Sequence, residues 1–203
     1  MSPLQTLGFA LGTSFASGLN LYATVATAGL LQRLGVITLP PNLQVLATPL
    51  VLGIAVALFL IEFVADKIPL VDNVWDALHT FIRPPAAALL AYSAFGAVPE
   101  GWKLGAALIA GSVALTSHGA KASTRAAANA SPEPFSNWAL SVAEDGIAVF
   151  LTWMASAHPI LSTFIVVVLV VLCTLLIWKV VGFLQRVRGK LRRSPGTAPP
   201  STA

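Results

Sequence analysis

Two long apolar segments of this chain are separated by a short stretch in which ionisable side chains are concentrated. Residues 62–83 contain half of the chain's eight acidic residues, together with lysine, histidine and arginine. Only 10% of all residues are charged, whereas soluble domains carry about 25%. Hydrocarbon makes each ionised side chain costly, by about 2.5–3.5 kcal/mol at a helix centre, so such groups near a membrane usually pair or function. We therefore interpret this stretch as the core of a working site.

The apolar composition predicts an all-α integral membrane protein. Hydrophobic residues make up 56% of the chain, and the mean hydropathy is +0.81. Because isolated strands leave backbone groups unsatisfied in lipid, about six transmembrane or re-entrant helices are predicted. They run approximately over residues 4–32, 43–65, 84–98, 103–117, 135–157 and 159–183. The third and fourth are short for a full crossing and are also compatible with a shallow hairpin.

Basic residues concentrate beyond the last apolar segment. This divides the chain into a multi-pass membrane domain, residues 1–185, and a basic and then disordered tail, residues 186–203. A basic cluster next to a membrane helix binds anionic lipid headgroups and marks the cytoplasmic side, so nucleic-acid binding is not expected. The protein is expected in the inner membrane of the cell. With six crossings, both termini are expected on its cytoplasmic side. The expected partners are the bilayer, those headgroups, a small solute or lipid, and a second copy of the chain.

Two glycine-containing interruptions predict helices broken near Gly18 and Gly119. A proline-containing turn and a long helix follow each interruption, so the chain is compatible with an internal duplication. In many transporters, paired broken helices place free backbone groups around a substrate near the middle of the membrane. The alternative is that small residues only allow the helices to pack closely.

Helical spacing groups the charges of residues 62–83 into two sets. Glu62 and Asp66 share a helix face, where Lys67 can neutralise one of them. The second set lies along one stripe of a short amphipathic helix that ends at Pro84, and it consists of Asp72, Asp76, His79 and Arg83. This helix either lies in the membrane interface or turns its acidic face into the bundle. The stripe can form an ion-pair network, a substrate or proton site, or a metal site.

Two adjacent acids, Glu144 and Asp145, lie about ten residues into the fifth apolar segment. Adjacent side chains diverge by about 100° on a helix, so the two are predicted to have different partners, with Lys121 or Arg125 as the candidate for one. The candidate substrate-binding or ion-binding residues are therefore Asn20, Glu62, Asp66, Lys67, Asp72, Asp76, His79, Arg83, Lys121, Arg125, Glu144 and Asp145. No catalytic residue, resident metal or cofactor is predicted.

Two motifs carry a family resemblance. One is Ser17-Gly-Leu-Asn-Leu-Tyr-Ala23, and the other is Glu62-x-x-x-Asp-Lys-Ile-Pro-x-Val-Asp-x-x-Trp-Asp-x-x-His-Thr-x-Ile-Arg-Pro84. With them the chain resembles the integral membrane family called domain of unknown function 4126, and Ser141-Val-Ala-Glu-Asp-Gly146 looks like the later acidic element of that family. The resemblance covers roughly residues 5–180. It implies a multi-helix, bacterial-type membrane protein and no particular reaction.

Three classes of function are compatible with these patterns. The first is a small transporter or permease that moves an ion, a small anionic solute or a lipid-linked phosphate through a polar intramembrane site. The second is a structural or accessory membrane subunit, and the third is a metal-dependent intramembrane enzyme that uses Asp72, Asp76 and His79. Common enzyme motifs, including Gly-x-Ser-x-Gly and His-Glu-x-x-His, are absent from the sequence. We therefore expect a transporter and not an enzyme.

Overall fold

The computed structural model describes residues 1–128 and 134–192, and these residues are organised in helices without strands. The elements are α1 (Pro3–Leu19), α2 (Leu21–Arg33), a 3₁₀-helix (Pro41–Ala47), α3 (Pro49–Ala65), α4 (Pro69–Ala94), α5 (Glu100–Ala128), α6 (Pro134–Ala157) and α7 (Pro159–Arg192). The prediction of an all-α architecture is confirmed. The predicted disordered segment, residues 194–203, lies outside the described residues.

Proline sets the start of most helices. Five α-helices begin at this residue type, namely α1, α3, α4, α6 and α7. Proline suits a first helical position because its fixed φ is helical and its missing N–H would have no partner there. Ser2 adds a capping box to α1, in which its hydroxyl accepts from the backbone of Gln5 while the Gln5 side chain accepts from the backbone of Ser2.

The predicted end of a helix at Pro84 is wrong, because α4 continues through Pro84 and Pro85 to Ala94. A proline inside a helix removes a hydrogen bond, so the helix needs support from its neighbours. Here α4 packs along α5, where Ala91 and Ala110 are both buried in one apolar cluster. Packing between helices therefore overrides the local break signal.

The first apolar segment forms a helical hairpin. Helices α1 and α2 meet at Asn20, whose backbone is extended with φ −150° and ψ 105°. The two helices then run side by side in opposite directions, because Phe9 shares an apolar cluster with Ala28, and Thr13 and Thr24 line the same small void. The predicted break near Gly18 is thus present two residues later, and the chain turns back there.

Asn20 explains why the chain turns at this residue. Its backbone N–H donates to Ala16 O at 2.9 Å, which closes α1, and its side-chain Oδ1 accepts from Ala23 N at 2.8 Å, which opens α2. Asparagine is among the preferred N-cap residues because its short side chain reaches the free N–H groups of the first turn. One residue therefore caps both helices of the hairpin.

The predicted break near Gly119 is wrong, since α5 is continuous from Glu100 to Ala128. A glycine inside a helix costs only about 1 kcal/mol relative to alanine, and contacts of α5 with α4 and α1 can offset that cost. The predicted internal duplication depended on a second helix break near Gly119. Because α5 has no such break, the main argument for a duplication is lost.

The hairpin changes the predicted topology. Pro3, Leu39 and Phe95 line one cavity, which places the start of α1 and two inter-helix connections at the same end of the bundle. Pro159, at the start of α7, lies against Gly8 at this end as well. Helix α7 then runs parallel to α1 and ends at the opposite end. The start of α1 and the end of α7 thus lie at opposite ends of the bundle, and the cytoplasmic placement of both termini stays a prediction.

The bundle has an apolar exterior and a partly polar interior. Phe81 is 81% exposed and Leu108 is 74% exposed, whereas many charged residues are buried. Within the described residues, the segments Trp138–Ala157 and Pro159–Phe183 are long and apolar enough to span a membrane, and the 3₁₀-helix together with α3 would make a third span if this bent pair is one crossing. The six predicted crossings are therefore not confirmed, because α4 and α5 carry many of the ionisable residues.

Close packing of α1 requires glycine at position 18. A Cβ there would lie 1.8 Å from Ser117 Oγ and 2.3 Å from the backbone oxygen of Ala114. Gly18→Ala is therefore expected to lower the free energy of unfolding by about 1–3 kcal/mol, because α1 and α5 must separate. The matched control is Gly53→Ala in α3, whose Cβ would meet nothing within 4 Å. Thermal unfolding of both variants in one detergent measures the effect, and equal melting temperatures would contradict this tight contact.

Candidate functional site

Ionisable side chains from four helices and the turn after α3 meet in one buried cluster beside the tip of the hairpin. We call this set the charge cluster, and it consists of Glu62, Asp66, Asp72, Asp76, Arg83, Lys121, Arg125, Glu144 and Asp145. Each of its members is at most 7% exposed. The structure thus brings together most of the residues that the sequence selected. Asn20 contacts the cluster, and Lys67 and His79 lie at its border.

Arg83 connects the tip of the hairpin to α3. One guanidinium nitrogen donates to Glu62 Oε1 at 2.5 Å, and the other donates to the backbone oxygen of Gly18 at 2.9 Å. The last carbonyls of a helix lack partners within the helix and carry the negative end of its dipole, so a cation stabilises them. Arg83 therefore stabilises both the buried carboxylate and the open end of α1.

Lys121 lies among four carboxylates. The distances from its Nζ atom to the carboxylate oxygens are 3.1 Å for Asp66, 3.5 Å for Glu62, 3.7 Å for Glu144 and 3.9 Å for Asp76. The same ammonium donates to the backbone oxygen of Leu19 at 3.2 Å. Lys121 is therefore the second cation at the end of α1 and links the hairpin to three other helices.

Arg125 forms the closest set of ion pairs. Its guanidinium donates to Glu144 at 2.6 Å, to Asp72 at 2.7 Å and to Asp66 at 2.9 Å. It also donates to the backbone oxygen of Asp66 at 3.0 Å, which lies in the turn after α3. The planar guanidinium can serve several oxygens at once, so a single side chain joins α5 to α3, α4 and α6.

The two adjacent acids of α6 have different partners, as predicted from their helical spacing. Glu144 pairs with Arg125, which was one of its two candidates, and lies 3.7 Å from Lys121. Asp145 instead accepts a hydrogen bond from Asn20 Nδ2 at 2.8 Å. Asp145 therefore contacts the residue that caps both helices of the hairpin.

The stripe on α4 faces inward, which is one of the two orientations that the sequence left open. Asp72 and Arg83 are fully buried, whereas Val74 and Leu78 on the opposite face are 62% and 56% exposed. A polar interior and an apolar exterior are the reverse of what an isolated helix in water would adopt. The acidic face of α4 therefore belongs to the charge cluster.

Lys67 does not take the role that its position suggested. Its Nζ atom donates to the backbone oxygen of Phe63 at 2.8 Å and lies 3.1 Å from the centroid of the Phe63 ring. Arg83 and Lys121 neutralise Glu62 from other helices. Lys67 still interacts electrostatically with Asp66, but the close ion pairs of Glu62 and Asp66 are formed by residues of other helices.

His79 is held by protein groups on both ring nitrogens. Nδ1 donates to the backbone oxygen of Trp75 at 2.8 Å, and Nε2 lies 3.1 Å from the hydroxyl of Tyr22. Among residues 1–128 and 134–192, no group of three or more His, Cys, Asp or Glu side chains is arranged to hold a metal ion. The predicted alternative of a metal at Asp72, Asp76 and His79 therefore has no preformed site there.

His118 and Tyr22 belong to the same site but were not among the selected residues. His118 Nδ1 accepts from Arg83 at 2.8 Å, and its Nε2 lies 3.1 Å from the backbone oxygen of Asp76. His118 is buried together with Lys121 and Arg125 on one face of α5. Spacings of three and four residues put these three side chains on one face, so this pattern could have identified His118.

The charge cluster contains more acids than bases. Within the part of the chain that the structure describes, six carboxylates stand against three cations, a formal excess of three negative charges when the histidines are neutral. A neutral His118 agrees with its hydrogen bonds, since its Nδ1 accepts from an arginine. Uncompensated charge is costly in a protein interior. Bound protons or cations would relieve this excess.

A smaller charged group at the other end of the bundle provides a contrast. Glu100 accepts from the Tyr92 hydroxyl at 2.6 Å and from Lys103 at 2.9 Å. These two hydrogen bonds hold the pKa of Glu100 below its ordinary value. Because the Glu100 side chain is exposed, this ion pair is weakened by solvent and contributes little to stability.

One comparison with known proteins gives a match. A family model described as domain of unknown function (DUF4126) matches residues 7–179, which includes every residue of the charge cluster. No curated protein and no solved structure matches the chain.

Removal of Arg125 is expected to be the most damaging single change in the charge cluster. Arg125→Gln leaves three carboxylates without their closest cation, so we expect the free energy of unfolding to fall by about 3–5 kcal/mol. The double variant Arg125→Gln/Glu144→Gln should recover part of this loss, because it removes one unpaired charge. Lys103→Met is the control, with no measurable change expected. Thermal unfolding in detergent measures all three, and a stable Arg125→Gln protein would contradict the ion-pair network.

Proposed function

The chain belongs to the family described as domain of unknown function (DUF4126), and we propose that it is a small multi-pass membrane transporter that exchanges protons or other cations. The observation that carries this proposal is the excess of carboxylates in the buried charge cluster. A structural ion-pair network has no need of surplus acids, because each unpaired carboxylate lowers stability. Surplus acids are useful where a cation binds and leaves.

The re-entrant hairpin supports a transport function. In many transporters, helices that end inside the bilayer place their terminal backbone groups at the substrate or coupling-ion site. Here the carbonyl oxygens of Gly18 and Leu19 point to Arg83 and Lys121 at the end of α1. The negative end of a helix and the charge cluster therefore occupy one place in the molecule.

The partners of the basic residues favour a cation over an anionic substrate. Lys121 and Arg125 were the candidates for binding an anionic solute or a lipid-linked phosphate. Both are surrounded by carboxylates that already accept from their N–H groups. An anion would have to displace these acids, whereas a proton or cation would relieve their repulsion.

We place the protein in the inner membrane with α3 to α7 crossing it. The end of the bundle that contains Lys67, Arg125 and Arg186 is the cytoplasmic one, because basic residues accumulate on that side. Arg33 and Lys103 then face the other side, as does the beginning of α1. The basic residues after α7 contact anionic lipid headgroups.

A flux assay with the purified full-length protein in liposomes tests this proposal. A pH-sensitive dye inside the liposomes reports proton movement when a gradient of sodium, potassium or magnesium is imposed. We expect cation-dependent proton flux with the wild-type protein. Glu62→Gln and Lys121→Met should each reduce this flux at least about tenfold, since they alter the charges that a moving cation must meet.

Two variants outside the cluster serve as controls. Glu100→Gln changes an exposed acid, and Lys103→Met removes its partner in the same small charged group at the other end of the bundle, so both should retain near wild-type flux. Flux no higher than in empty liposomes under every gradient, with correctly folded protein, would rule out cation exchange. It would leave the structural-subunit alternative, in which the charges only stabilise the bundle.

A further inference from the structure

We propose that Asp145 is the proton-binding residue of the charge cluster and that its protonation state controls the hairpin through Asn20. That this proton drives the exchange of cations across the membrane rests on the proposed function. That Asp145 binds a proton is independent of the proposed function. The proposal concerns one residue of the cluster and its single polar contact with the hairpin.

Asp145 differs from every other acid of the charge cluster. Glu62, Asp66, Asp72, Asp76 and Glu144 each lie within 4 Å of a lysine or arginine nitrogen. Within the described residues, Asp145 forms no such pair. Its partner is the neutral amide of Asn20, and Asp145 is only 6% exposed.

The second carboxyl oxygen of Asp145 provides an independent observation. Oδ1 accepts from Asn20, whereas Oδ2 is buried and has no hydrogen-bond partner among the residues that the structure describes. Glu62 and Asp72 also have one such oxygen, but each of them has a cation within 4 Å. A buried carboxylate with neither a cation nor a second donor is best neutralised by a proton on its free oxygen. The proton comes from water and forms an O–H bond on Oδ2, which leaves Oδ1 available to accept from Asn20.

The charged surroundings of Asp145 do not supply a dedicated counter-ion. The charged groups that act on it come from α3, the turn after α3, and α5, and they are Glu62, Asp66, Lys67 and Lys121. Glu144 is its neighbour on α6. Lys121 is already shared among other carboxylates, and Lys67 is bound to Phe63. The neighbouring carboxylates Glu62 and Asp66 also disfavour a negative charge on Asp145.

The contact with Asn20 connects the proton to the shape of the hairpin. Asn20 uses its remaining polar groups to close α1 and open α2. When Asp145 loses its proton, its new charge attracts Lys121, whose ammonium holds the Leu19 carbonyl at the tip. A shift of Lys121 would release that carbonyl. The tip is therefore held in the observed geometry when Asp145 is neutral.

The adjacent acids of α6 allow a matched test with opposite expected results. Asp145→Asn imitates the protonated acid and can still accept from Asn20, so its melting temperature should equal or exceed that of the wild-type protein at neutral pH. Glu144→Gln weakens the ion pair with Arg125 and should lower the melting temperature. If the melting temperature of the Asp145→Asn variant falls as far as that of the Glu144→Gln variant, the proposal is overturned.

The pH dependence of stability gives a second readout. A proton held more tightly in the folded state than in the unfolded chain stabilises the fold at low pH, and this stability is lost as pH rises through the folded-state pKa. Asp145→Asn cannot lose such a proton. Its advantage in melting temperature over the wild-type protein should therefore grow between about pH 5 and pH 9. A difference that is independent of pH would contradict a bound proton.

Infrared spectroscopy separates this inference from the proposed function. The wild-type protein should show the carbonyl stretch of a protonated carboxylic acid, and Asp145→Asn should lose it while Glu100→Gln retains it. If the band is lost as expected but the liposomes show no flux, the proton site stands and transport fails. If the band persists in Asp145→Asn, the proton is not on Asp145, whatever the flux assay gives.

Discussion

Burial of charge at the tip of the α1–α2 hairpin is the constraint on which the rest of the structure depends. Removing ionised groups from water is costly, so each must find partners on other helices. Arg125 alone joins α5 to α3, α4 and α6, and Arg83 and Lys121 attach these helices to the end of α1. The relative positions of the helices are thereby determined by a few side chains whose loss would leave buried carboxylates unpaired.

Small residues make this arrangement sterically feasible. Gly8, Gly12 and Gly18 lie where α1 touches α7, α6 and α5, and most of the buried apolar residues around them are alanines. Close backbone approach of this kind is typical of helices in membranes, where packing and polar contacts replace the hydrophobic effect as the source of association. The large apolar side chains lie outside, where a bilayer would cover them.

Hydrogen bonds join the hairpin and the charge cluster into one unit. Asn20 caps both helices and contacts Asp145, while two cations of the cluster bind the last carbonyls of α1. All of these side chains are buried in the structure. The transport that we propose would therefore require movement, and the hairpin is the element whose tip contacts the charge cluster directly.

The sequence by itself determined the helical class, the inward stripe of α4 as one of two alternatives, and the separate partners of Glu144 and Asp145. These follow from local spacing, because side chains three or four residues apart share a helix face. Only the tertiary structure decided that the chain turns back at Asn20 and that α4 and α5 continue through Pro84 and Gly119. It also decided that the close ion pairs of Glu62 and Asp66 are formed by bases on α4 and α5 and not by Lys67. Those outcomes depend on which helices pack together, and packing energies between distant segments outweigh the local signals of single residues.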